Sequence, residues 1–209
     1  MYSGREMFGG WCSVEGGYTV SPGGQPHTPA MMEDIAITEA DHPWLAVLDD
    51  LLKAEDSASS SMRRGLEYFY RAWPFDPRER FPALCMALDS VVAAPANHTK
   101  MAVKFVVDTI GCPVDEDRLR RLMRIRGAVI HGAAPDVYES TNYAQYYIDY
   151  GADPIFDLEL IVARCLRNRI FGGKLAYHAD PNQTLLQQLQ AAGKLPKKLA
   201  PGAIIAADA

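Results

Sequence analysis

The sequence predicts an all-α fold, a helical bundle of about six helices behind a Gly/Pro-rich N-terminal arm. Two observations carry this. Beyond residue 40, apolar residues recur at the three- and four-residue spacing that lines one face of a helix. Before it, the chain holds Gly9-Gly10, Gly16-Gly17 and Gly23-Gly24 with interspersed prolines, a composition that suits turns better than helices. The organisation expected is an arm over residues 1–40, a bundle over 41–178, and a short helix with a frayed tail over 179–209.

The arm leaves three readings open: a loose extension, the remnant of a preceding domain, or a small β segment. The β reading places a hairpin from Trp11–Val14 to Tyr18–Val20 and a short strand near Ile35–Ile37. Asp41 is the candidate cap of the first helix, with Pro43 in its first turn and Leu45, Leu48 and Leu52 on its apolar face. The Ser-Ala-Ser-Ser-Ser run at 57–61 reads as a break. A second helix to about Ala72 turns Met62, Leu66, Phe69 and Tyr70 inward, and Pro74 and Pro77 end it. The third, to about Ala93, has Leu84, Ala87, Leu88 and Val91 as its stripe, with Pro82 early in it or at its true start. Asn97 is the candidate cap of the fourth, which carries Met101, Val103, Phe105, Val106 and Ile110. Asp115 opens the fifth, residues 132–152 read as a long loop, and Leu158, Ile161, Val162, Cys165 and Leu166 stripe a sixth over 154–170. Asn182 caps a last short helix, and the tail from Pro196 is expected to fray.

The totals narrow the function classes. A chain of 209 residues with 48% hydrophobic and 22% charged residues has an ordinary globular balance. No apolar run approaches the roughly 20 residues of a membrane span, and no basic-then-apolar leader opens the sequence, so a cytoplasmic location is expected. The scattered Cys12, Cys85, Cys112 and Cys165 lack zinc-ligand spacing and read as free thiols. A net charge of −5 argues against coating nucleic acid over a long surface, though it leaves room for a compact phosphate site. Phosphate-loop, Gly-x-Ser-x-Gly and zinc-protease signatures are missing, and no metal or cofactor is expected.

The fifth helix carries the most chemistry. Arg118, Arg120, Arg121, Arg124 and Arg126 crowd onto it with no acid among them, most of them read as a solvated flank. Arg126 falls instead within the apolar stripe of Leu119, Leu122, Met123, Val129 and Ile130. A guanidinium aimed at a core needs a partner or a use. His131 stands in the last turn before the expected stop at Gly132. A cation and a titratable ring on one rigid element suit work on a phosphodiester. Five of the ten tyrosines follow at once, Tyr138, Tyr143, Tyr146, Tyr147 and Tyr150. They read as packing or protomer contact, or as platforms for bases of single-stranded RNA. His42, His98 and His178 have no partners at ligand spacing.

Residues 80–91, the helix after them, and Leu122 to Gly132 together resemble the HEPN superfamily, in particular its Apea-like branch. The resemblance rests on the Arg-x4-His motif of Arg126 and His131, on Ala87-Leu88-Asp89 upstream, and on Ile130-His131-Gly132 where the branch often reads Val-His-Gly. It covers about residues 41–178 and implies a HEPN-like helical bundle. It implies metal-independent endoribonuclease activity in defence against phage or in stress, with RNA as partner, a homodimer with a composite site and a possible regulatory protein. Arg126 and His131 would be catalytic, Asp89 and Gly132 supporting, and Arg120, Arg124, Tyr138 and Tyr143 would contact RNA. The alternative is an inactive HEPN module that binds RNA, a nucleotide or a protein. Gly127 stands where the family often has a polar residue, and Ala133 where the toxin–antitoxin branch has tyrosine. In the alternative reading Arg126 is half of a buried ion pair, for which the family pattern implies Asp89 as partner, and His131 is a helix C-cap.

Overall fold

Aspartate followed by proline opens two of the helices, because the carboxylate accepts the first free N–H groups and the proline ring is already set at a helical φ. In the computed structural model, which describes residues 12–13, 19–20, 37–92, 99–176, 183–194 and 204–205, Asp76 caps α3 (Pro77–Val91) and Asp153 caps α7 (Pro154–Leu166) this way. The fold is an all-α bundle. The remaining helices are α1 (His42–Lys53), α2 (Ser57–Ala72), α4 (Thr99–Ile110), α5 (Glu116–Ile130), α6 (Thr141–Tyr150) and α8 (Gln183–Ala191). In the arm, β1 (Cys12–Ser13) pairs antiparallel with β2 (Thr19–Val20), Cys12 opposite Val20. Trp11, Val14, Tyr18, Ile35, Asn97 and Asn182 lie outside the described residues.

Several boundaries correct the sequence reading. The serine run at 57–61 is the first turn of α2 rather than a break, since Asp56 accepts the Ser59 N–H and absorbs the capping role. Asp41 does not cap α1 with its side chain. It closes a box with Thr38 around a single 3₁₀ turn and also accepts the Trp44 indole N–H at 2.9 Å. Pro77 starts α3, so Pro82 lies inside the helix. The expected loop over 132–152 holds α6, capped by Ser140 and stopped by Gly151 at φ 62°. The tail is also anchored within its length: Ile204 and Ile205 are buried, Ile205 bridges to Val114, and the Ile204 carbonyl accepts the Asp115 N–H at 3.0 Å.

The core lies around α3 and α7. Phe81, Leu84, Cys85 and Leu88 from α3 meet Leu158, Ile161, Val162 and Cys165 from α7, all fully buried. Each large apolar side chain removed from water adds roughly 1.5–3 kcal/mol before the entropy of ordering is subtracted. Helix α2 lies along α3 and touches α7, while α5 packs on α4 and α6 and meets α3. Gly65 sets the approach of α2: a Cβ there would stand 3.1 Å from Val91 Cγ1 and 3.2 Å from Leu166 Cδ2. After α7 the chain makes one π-helical turn, Arg167–Phe171, ended by Gly172. Within it, Asn168 donates to the carbonyls of Thr109 and Ile110 at 3.0 Å. Those bonds satisfy orphan acceptors at the end of α4.

Two outcomes follow from this packing. Replacing Gly65 with leucine forces α2 off α3 and α7, with an expected loss of at least about 2 kcal/mol in urea unfolding. Burial raises the Cys85 thiol far above its usual range and pushes Cys165 up to about 12, so little thiolate forms at either. Alkylation of the native protein at about pH 8 is expected to reach the half-buried Cys112 well before either of them, read by peptide mass mapping.

Candidate functional site

Helix α5 begins at Asp115, whose carboxylate accepts the Arg118 N–H at 3.0 Å, and ends at His131, whose N–H donates to the Gly127 carbonyl at 3.1 Å, while the Gly132 N–H donates to that of Val129. Gly132 follows at φ 74°, the left-handed position that glycine takes without strain. Arg126 and Arg118 are both buried, 8% and 4% exposed. Each guanidinium meets a carboxylate from another helix.

Arg126 Nη2 donates to both oxygens of Asp89 on α3, each at 2.5 Å. Its Nε is buried with no hydrogen-bond partner among the described residues. The Asp89 side chain remains 38% exposed, and it lines an open groove of about 600 Å³. That groove runs past the start of α2 and is also lined by Ser57, Ser61, Arg64, Tyr68 and Arg169. The pair joins α3 to α5 and places a buried cation directly behind a carboxylate that faces solvent.

His131 is exposed at the end of α5. Five residues correspond to about 140° of rotation around an α-helix and a rise of about 7.5 Å. Arg126 and His131 of one chain therefore leave the helix in different directions, toward α3 and toward solvent. The sequence suggested a set held close together, but helical geometry keeps it divided within one copy.

The expected RNA contacts divide as well. Arg120 is engaged within its own helix, with Glu116 at 2.5 Å and Asp117 at 2.6 Å. Arg124 is exposed and has no ion-pair partner among the described residues. Tyr138 and Tyr143 are half-buried against the core, with rings edge to face at 5.0 Å, and the Tyr143 hydroxyl donates to Asp153 at 3.3 Å. Their surroundings push the Tyr143 phenol up to about 12, burial first and the Asp153 charge second. These two rings pack. Of the five tyrosines after the motif, Tyr147, at 54%, is the most exposed.

The sequence reading missed a second constellation. Arg118, read as part of a solvated flank, forks onto Asp157 of α7 through Nε and Nη2, both at 2.8 Å. The Tyr146 hydroxyl from α6 donates to the same carboxylate at 2.5 Å, and burial drives that phenol well above its ordinary range. The guanidinium lies over the Tyr150 ring at 5.3 Å. A signal was present: Arg118 stands four residues before the buried Leu122, and Asp157 four before the buried Ile161. A charge in register with an apolar stripe on each of two helices points to a pair. This network ties α5, α6 and α7 together and is sealed from solvent, so its part is to hold the frame.

Among the described residues, no group of three or more His, Cys, Asp and Glu side chains is placed to hold a metal ion, and no helix is long and apolar enough to cross a membrane. Comparisons with protein-family models, characterised proteins and solved structures find no match to this chain.

The two ion pairs are expected to differ in what they contribute. Asp157→Ala leaves Arg118 charged and sealed, with an expected loss of about 3–5 kcal/mol in urea unfolding. A hydrophobic double replacement, Arg118→Met with Asp157→Leu, is expected to recover most of it. Asp89→Ala, at the open end of its pair, should cost about 1–2 kcal/mol.

Proposed function

We propose that this chain is a HEPN-type RNA-processing module that cleaves RNA without a metal ion and works as a pair of copies. The observation that carries the reading is the Arg126–Asp89 pair at the wall of an open groove. Only Nη2 of the Arg126 guanidinium is spent on Asp89, so a shift of the side chain toward the groove would leave other N–H groups to meet a phosphoryl oxygen. The exposed His131 supplies a base from the same helix. The two side chains of one copy diverge, so a second copy is needed to close a composite site across a two-fold axis.

In this reading His131 takes the proton from a ribose 2′-hydroxyl. The oxygen forms a bond to the adjacent phosphorus, the bond from phosphorus to the 5′-oxygen breaks, and that oxygen leaves with the proton that His131 took up, returned through water. Arg126 stabilises the charge that grows on the phosphoryl oxygens. The products are a 2′,3′-cyclic phosphate and a 5′-hydroxyl, and DNA is spared because it lacks the nucleophile. A second reading, a module that binds RNA without cutting it, draws on the commitment of Arg126 to Asp89 and on Gly127, which offers no side chain to orient a phosphate.

The deciding measurement is incubation of the purified protein with end-labelled single-stranded RNA in excess EDTA. Cleavage is expected to survive chelation and to fall roughly 100-fold or more in His131→Ala, an exposed position where folding should be intact. Arg126→Lys keeps the charge but loses the fork, and a drop of similar size is expected. Cleavage that His131→Ala leaves unchanged rejects the nuclease. RNA binding without cleavage selects the binding module.

A further inference from the structure

The groove beside Asp89 holds a second set of groups that the Arg-His reading does not use. Arg64 on α2 and Arg169 in the π-helical turn both line it, and neither forms an ion pair among the described residues. Among the described residues, Arg64 is held only by the Ser61 hydroxyl at 3.2 Å. Ser57, Ser61 and Ser90 add hydroxyls to the wall. The one acid among the described lining residues, Asp89, is already neutralised from behind by Arg126. Among the described residues that line it, this leaves two guanidiniums facing one concavity without a carboxylate of their own.

The setting is also built for it. A π-helical turn is rare, and such turns occur often at functional sites. Here it turns Arg169 onto the groove while Ile170 of the same turn is buried in the core. Met62, Met86 and the Tyr68 ring provide apolar lining between the charged groups. A volume of about 600 Å³ is that of a small-molecule cleft. Two guanidinium forks match the oxygens of a phosphomonoester dianion better than those of a diester, which carries one negative charge.

From these observations we infer that the groove is a phosphomonoester-binding site, with Arg64 and Arg169 holding the phosphate and Tyr68 with the two methionines accepting an attached planar group. The ligand chemistry is a terminal phosphate next to a flat ring. It can come from a free phosphorylated small molecule or from the phosphorylated end of an RNA strand. The site uses residues outside the Arg126–His131 set, so it stands or falls apart from cleavage.

The test is calorimetric titration of the full chain with phenyl phosphate, alongside diphenyl phosphate as the diester and benzoate as a carboxylate of similar shape. The expected result is one site per chain that prefers phenyl phosphate at least tenfold over both analogues. Arg64→Ala and Arg169→Ala should each weaken binding about tenfold, and Arg71→Ala, an exposed cation of α2 outside the groove, should leave it unchanged. Circular dichroism melts check that the variants fold, and Arg64→Glu, at an exposed position, gives a second reading with reversed charge. Competition by a 5′-phosphorylated RNA pentamer, but not by its 5′-hydroxyl form, assigns the ligand to a strand end. Equal failure of both pentamers against phenyl phosphate assigns it to a free small molecule. Binding that is absent, that favours the diester, or that survives the Arg64→Ala/Arg169→Ala double variant overturns the proposal. His131→Ala is expected to bind phenyl phosphate normally, which separates failure of the groove from failure of the nuclease.

Discussion

Two buried guanidiniums on α5 set the arrangement of everything near the groove. A charge withdrawn from water is tolerated only where a carboxylate meets it with good geometry. Arg118 can be buried only if α7 presents Asp157 at the right height, and Arg126 only if α3 presents Asp89. Apolar stripes allow a helix to slide or rotate with modest loss, whereas a fork on a carboxylate does not. The two pairs thus fix α5 in rotation and in translation against both central helices.

The pairs do different work because they differ in access to solvent. The Arg118–Asp157 pair is closed on both sides and is capped by the Tyr146 hydroxyl. Nothing can exchange with it. The Arg126–Asp89 pair is closed behind the guanidinium and open in front of the carboxylate, at the wall of the groove. A cation held in an apolar setting, close to a surface that small molecules reach, is poised for an anion in a way that a freely solvated arginine is not. The neighbouring Arg64 and Arg169 extend that positive character along the groove, and Gly65 lets α2 come close enough to α3 and α7 to bring Arg64 there.

Much of this was legible in the sequence. The helical periodicity of α2, α3, α4, α5 and α7 is read directly, since burial selects the apolar positions one turn apart. So are the stop at Gly132 and the need of Arg126 for company, because a guanidinium within an apolar stripe demands a partner. Where local rules compete, the reading failed. The serines at 57–61 favour caps and breaks in isolation, yet Asp56 took the capping role and left them to the helix. The tyrosine-rich α6 has little helical preference of its own, and it forms because Tyr146 is buried onto Asp157 and Ser140 and Gly151 mark its ends. The order at Ile204 and Ile205 comes from a bridge to Val114, some 90 residues earlier in the chain.

By itself the sequence determined the all-α class, the apolar faces of the main helices and the need of Arg126 for a partner, since each of these depends on residues a few turns apart or on the cost of burying one charge. Only the tertiary structure decided which of the five arginines of α5 are solvated, that Arg126 and His131 of one chain diverge, and that Arg64 and Arg169 line one groove. Those outcomes depend on where helices distant in the chain come to lie. That placement follows from interhelical packing and the pairing of buried charges, which no local pattern along the chain encodes.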